Sequence, residues 1–142
     1  MPDLAGFGNR MKKIADEIEV RSANAIKNVT VAIGRRVVED TPVDTRKARS
    51  NWLASPKRKR DLGDRAPRSI EETVQEIVHK VKPVKMDGTT TLANGGKKVD
   101  YLGDLNRGTS FQAPRGFVEA SVIAGRLAAF DQYLLKKGRT ER

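Results

Sequence analysis

The chain has 142 residues, no cysteine, and 28 Lys and Arg against 18 Asp and Glu, a formal charge of +10. One domain accounts for that length, and the missing cysteines exclude a disulfide framework, a thiolate metal site and a cysteine nucleophile. With 37% hydrophobic and 32% charged residues the core is lean. No window approaches the run of about 18 apolar residues that a membrane span needs, and no basic segment followed by an apolar run opens the chain, so neither a span nor a secretory leader is expected.

From Asp3 to Asp40 the apolar residues Leu4, Phe7, Met11, Ile14 and Ile18, then Ala25, Val29, Ile33 and Val37, fall at helical steps on one stripe. The stripe is interrupted between Val20 and Asn24, where Arg21 and Ser22 stand in line with it, so one bent helix or two consecutive helices satisfy the pattern. Gly34 costs about 1 kcal/mol relative to Ala. Pro42 ends the segment, because it forces Thr41 toward extended geometry and cannot donate to the preceding turn. A continuous helix of this length reaches on the order of 50 Å. A domain of this size cannot cover all of it, and part of the stripe is expected to be buried by another subunit.

After the turn Thr41-Pro42-Val43-Asp44-Thr45, the spacing predicts a short strand over Ser50 to Ser55, with Trp52 and Ala54 on one face and Leu53 on the other. Residues 56–68, PKRKRDLGDRAPR, have no apolar periodicity and carry Pro56, Gly63 and Pro67, which predicts an exposed basic loop. Ser69 stands three residues before Glu72, the spacing of a capping box, and Ile70, Val74, Ile77, Val78 and Val81 follow at helical steps. A helix from Ile70 to Val81, stopped by Pro83, is expected. Residues 84–100 carry Asp87-Gly88, Thr89-Thr90-Thr91-Leu92 and Asn94-Gly95-Gly96, the mark of short strands between turns. Tyr101, Leu102 and Leu105 predict a helical turn ending near Gly108. Over 114–137, Phe117, Ala120, Ile123, Leu127, Phe130 and Leu134 predict a C-terminal helix, although residues 118–122 also alternate as a strand would.

The charge is local. Residues 44–68 hold nine basic and three acidic side chains, a surplus of +6, whereas 1–43 and 69–100 are nearly balanced and 101–142 carry +3. Lys57, Arg58, Lys59, Arg60, Arg65 and Arg68 form a cationic arm able to meet phosphates or an acidic protein surface, the bland alternative being a solvated loop. No helix-turn-helix, zinc-finger or RNA-recognition signature accompanies it, and the nearby ring, Trp52, fits core packing better than base stacking.

Catalytic chemistry has no residues to use. The lone histidine, His79, lacks a second ligand or a triad partner. The carboxylate groups Asp16/Glu17/Glu19, Glu39/Asp40 and Glu71/Glu72/Glu76 lie among Lys and Arg on helices and read as surface pairs. Neither glycine cluster fits a phosphate-binding loop. No enzyme, metal or cofactor is expected.

Three patterns taken in order resemble one family. Thr41-Pro42-Val43-Asp44-Thr45 after a long helix, then Ala48-Arg49-Ser50-Asn51-Trp52, is similar to the "TPVDTGxxRxxW" segment of small tail-completion or neck proteins of tailed bacteriophages, the family of minor tail protein Z of lambdoid phages. Tyr101-Leu102 with Leu105-Asn106-Arg107-Gly108-Thr109-Ser110 resembles that family's "YAxxLExGTS", and Gln112-Ala113-Pro114-Arg115-Gly116-Phe117 its "QAPxGF/M". Arg46 stands where the family usually has Gly, Gly103 is unusual, and the arm is more basic than the pattern requires.

The resemblance spans roughly residues 1–135. It implies an α+β subunit in which a small antiparallel sheet is flanked by a long N-terminal helix, a middle helix and a C-terminal helix. It further implies assembly into a ring, commonly a hexamer, at the head–tail junction of the virion. There the ring would join the tail tube or tail terminator to head-closure, adaptor or portal-side proteins around genomic DNA, with no membrane partner. Pro42, Asp44 and Thr45 would shape the reversal and Trp52 would pack in the core. Tyr101, Asn106, Gly108, Thr109, Ser110 and Pro114 would build the segment before the last helix, with contacts either to a neighbour or within the subunit. The competing reading is a small nucleic-acid-binding protein that uses the 57–68 arm.

Overall fold

The computed structural model describes residues 4–42, 47–55, 67–94, 106–108 and 115–140. Helix α1 is Leu4–Asp40, α2 is the single turn Lys47–Ser50, strand β1 is Trp52–Ser55, α3 is Ile70–Val81, β2 is Thr91–Asn94 and α4 is Phe117–Thr140. The two strands pair antiparallel, with Trp52 opposite Asn94 and Ser55 opposite Thr91. A small antiparallel sheet with a long N-terminal, a middle and a C-terminal helix is the expected class.

α1 is one uninterrupted helix of 37 residues, about 55 Å long. The break in the stripe at Val20–Asn24 does not break the helix, because Arg21 and Ser22 keep helical hydrogen bonds while interrupting only the apolar face. α3 has the bounds read from its periodicity, and the capping box forms: Glu72 N–H donates to Ser69 Oγ at 3.1 Å while Ser69 N–H donates to Glu72 Oε2 at 2.8 Å. Glu71 and Glu72 in its first turn and His79 and Lys80 in its last complement the helix dipole.

The predicted strand from Ser50 starts two residues late. Lys47–Ser50 forms a helical turn, Asn51 a turn, and the strand opens at Trp52. All four strand residues are buried, so both faces are covered and the alternation read from Trp52, Leu53 and Ala54 does not separate an inner face from an outer one. The C-terminal helix begins at Phe117 rather than 114 and runs to Thr140, and residues 118–122 take the helical alternative.

The core joins Val37 and Val38 of α1, Trp52 and Ala54 of β1, and Val74, Ile77 and Val81 of α3, closed by Val84. Close approach, not only side-chain filling, sets the layers. A Cβ on Gly34 would lie 3.0 Å from Ile77 Cδ1, so this glycine lets α1 settle onto α3. A Cβ on Gly125 would lie 2.6 Å from Ile33 Cα, which makes the crossing of α4 over α1 a backbone-to-backbone contact. α4 runs antiparallel to α1: Gly125 meets Ala32 and Ile33, and Ser121 meets Asp40.

Candidate functional site

The end of α1 is clamped. Its last carbonyls have no partners within the helix, and Arg49 supplies them: Nε donates to the Val38 carbonyl at 3.0 Å, and Nη2 to the carbonyls of Glu39 at 3.2 Å and Thr41 at 3.1 Å. The fully buried Thr41 hydroxyl donates back to the Val37 carbonyl and accepts from Trp52 Nε1 at 2.8 Å. Thr41, Arg49 and Trp52 of the first family-like pattern are therefore one hydrogen-bonded unit that welds α1 to β1. Trp52 lies in the core as expected. Pro42 follows directly on this unit, while Asp44 and Thr45 lie outside the described residues.

A second unit fixes the entry to α3. Arg68 N–H donates to Ser50 Oγ at 2.7 Å, its Nη2 donates to the Ser50 carbonyl at 3.2 Å, and its Nη1 pairs with Glu76 Oε2. Both side chains of this ion pair are mostly buried. The expectation that Arg68 belongs to a flexible cationic arm is corrected here: Glu76 and Ser50 hold its guanidinium against the body of the subunit, and its side chain is 26% exposed. Glu76 likewise is half-buried in this pair and not a surface carboxylate. Lys57, Arg58, Lys59, Arg60 and Arg65 lie outside the described residues.

Asn106 prepares the start of α4. Its Oδ1 accepts from Val118 N–H at 2.9 Å, its Nδ2 donates to both Glu119 carboxylate oxygens at 3.0 and 2.9 Å, and its carbonyl accepts from Gly116 N–H at 2.7 Å. The hydrogen bond from Asn106 holds the Glu119 carboxyl below the usual range. Gly108 has a φ of 80° and Gly116 one of 73°, backbone that favours glycine. Asn106 thus makes turn contacts within the subunit. Tyr101, Thr109, Ser110 and Pro114 lie outside the described residues.

What remains open to a partner is helical surface. From Leu4 to Arg21 every residue of α1 except Gly6 is exposed, including Leu4 at 77% and Phe7, Met11, Ile14 and Ile18 at half or more. These side chains share a bearing with Ala32, Ile33 and Asp40, the positions that α4 meets. The residues that α1 buries, Ala23, Thr30, Gly34, Val37 and Val38, are centred roughly 140° away around the helix. So the exposed stripe lies on the same bearing as the α4-bearing face, toward the N-terminus of α1. A second apolar strip, Ile123, Leu127 and Phe130, is exposed on α4. Between α1 and β2 an open apolar groove is lined by Ala25, Ile26, Val29, Ile33 and Leu92.

His79 is exposed. Among the described residues no group of three His, Asp or Glu side chains could hold a metal ion, and no helix is long and apolar enough to cross a membrane. Glu71 pairs with Arg35 Nη1 at 2.7 Å, which lowers the carboxyl and raises the guanidinium. The sequence carries signals for much of this surface, since the stripe is visible as periodicity. The role of Arg49 escapes that reading: an arginine soon after a helix-ending proline is the signal that would find it.

Comparison of the chain with protein-family models, with curated proteins and with solved structures gives no match in any of the three.

Proposed function

We propose that the chain is a structural virion subunit of a tailed phage, a tail-completion or neck protein that forms a homo-oligomeric ring at the head–tail junction. The observation that carries this reading is the exposed apolar face of α1 from Leu4 to Ile18, on a helix of 37 residues. An apolar face of that length in water is a protein-contact surface. A second and different apolar strip is exposed on α4, so the subunit offers separate faces for its ring neighbours and for a further protein contact.

The family-like patterns support the same reading through what they build. The first welds the long helix to the sheet, and the second places Asn106 at the start of α4. In the assembled ring the subunit would carry no reaction; it would hold the tail tube or tail terminator on one side and head-closure, adaptor or portal-side proteins on the other, with genomic DNA in the channel. The basic residues 57–65 would face that DNA or an acidic neighbour. Sedimentation of the purified chain, with and without tail-tube protein, together with electron microscopy of the product tests this. Rings, commonly of six, are expected; a strict monomer at high concentration in both mixtures overturns the reading.

A further inference from the structure

The exposed face of α1 has a spacing of its own. Leu4, Phe7, Met11, Ile14 and Ile18 follow steps of 3, 4, 3 and 4, the narrow seam of a two-stranded coiled coil rather than the wider stripe that packs on a globular core. The flanks of the seam are unequal. On one side stand Gly8, Ala15 and Ser22, all small; on the other stand Arg10 and Glu17, opposite in charge and one heptad apart. All of these but the half-buried Ser22 are exposed.

That arrangement discriminates between orientations. In a parallel pair Arg10 and Glu17 would each lie beside the small flank of the other helix, and their charges would have no counterpart. In an antiparallel pair the flanks of like kind meet. In the register that stacks Phe7 on Ile18 and Met11 on Ile14, Arg10 of each helix comes opposite Glu17 of the other, and Gly8 comes opposite Ala15, where the backbones can approach closely. Shifting that register by a heptad brings Arg10 opposite Arg10, a like-charge contact.

The exposed α4 strip of Ile123, Leu127 and Phe130 is the competing occupant, and cross-linking separates it from a second α1. Gly6 and Gly8 lower the helix propensity of this half of α1. A partner helix along the seam removes that weakness.

We infer that residues 7–18 pair antiparallel with the same segment of a second copy of this chain, through a two-fold seam with Arg10 and Glu17 crossed at its edge. A two-fold contact closes at two subunits. It is separate from the head-to-tail contacts of a ring and does not rest on the connector reading; within a connector it would join subunits of two rings.

The full chain has no cysteine, so single-cysteine variants report orientation directly. Sedimentation across a concentration series is expected to show an association step that Ile14→Asp abolishes while thermal unfolding of the body stays unchanged. Oxidation of F7C mixed with I18C is expected to give a cross-linked dimer that neither variant gives alone. R10E and E17R are each expected to weaken the step about tenfold, since both symmetry-related pairs turn repulsive, and the double variant R10E/E17R to restore it. Self-cross-linking of F7C, which marks a parallel pair, overturns the inference. So does cross-linking of I14C with L127C, which makes α4 the occupant, and so does association indifferent to Ile14→Asp or to both charge reversals. Rings that persist unchanged in Ile14→Asp sink this pairing and leave the connector reading standing. Seam cross-links without rings do the reverse.

Discussion

The two halves of α1 are one helix under two sets of rules. From Ala23 to Asp40 the helix is held from outside: α3 and the sheet take one face, α4 takes another, and Gly34 sits where a larger residue would strike Ile77. From Leu4 to Ser22 nothing of the subunit's described body covers the apolar face, and Gly8 has open space around it. The same helical periodicity therefore carries different information in each half. In the first it describes a core, in the second an apolar surface that the described body leaves open.

The sharpest way to test that contrast is to truncate one large side chain in each half. Ile77→Ala removes a fully buried side chain from the layer against Gly34 and is expected to cost about 2–5 kcal/mol in urea unfolding. Ile14→Ala is expected to stay within about 0.5 kcal/mol when measured on dissociated protein. The glycines give a smaller contrast of opposite signs. Gly125→Ala forces a methyl group into the α1 backbone and is expected to cost about 1–3 kcal/mol, whereas Gly8→Ala gains about 1 kcal/mol of helix propensity. Equal effects at the two positions would erase the distinction between the halves.

The clamp at the end of α1 comes next. Thr41→Val leaves the buried Trp52 Nε1–H without its acceptor and is expected to cost about 1–3 kcal/mol in the same unfolding measurement. Ser69→Ala, which opens the capping box of α3, is expected to cost about 1 kcal/mol.

The smallest effect is on pH. Glu72 is held below the ordinary range by the Ser69 backbone and side chain, and Glu71 by Arg35, so the folded state binds these protons less readily than the unfolded chain. Their contribution is complete above the unfolded value of about 4.3 and is lost as pH falls through the lowered folded values. Thermal midpoints should decline over that acidic window, and Glu72→Gln should make the decline shallower. Both groups are solvent-exposed, so the change is small.

The helices were readable because their signals are local. The capping box and the spacing of Ile70, Val74, Ile77 and Val81 lie within about a dozen residues, and the long stripe of α1 repeats one step many times. The start of β1 was not readable, because Lys47–Ser50 has no pattern of its own and is helical through what Arg49 binds. Arg68 misled for a related reason: in sequence it ends a basic run, and only the fold brings Glu76 and Ser50 to it. Gly34 read as a cost to the helix; Ile77, which explains it, is more than forty residues on. As for the candidate surface, the sequence showed which residues of α1 were apolar but not where the domain would stop covering them.

Seen as a beam, α1 is a cantilever whose C-terminal half is built into the subunit: α3, the sheet and α4 hold residues 23–40, and Arg49, Thr41 and Trp52 lock its end. The overhang from Leu4 to Ser22 is roughly 28 Å. A load at its tip becomes a bending moment where the support begins, near Ala23, and the buried layers behind that point carry the reaction.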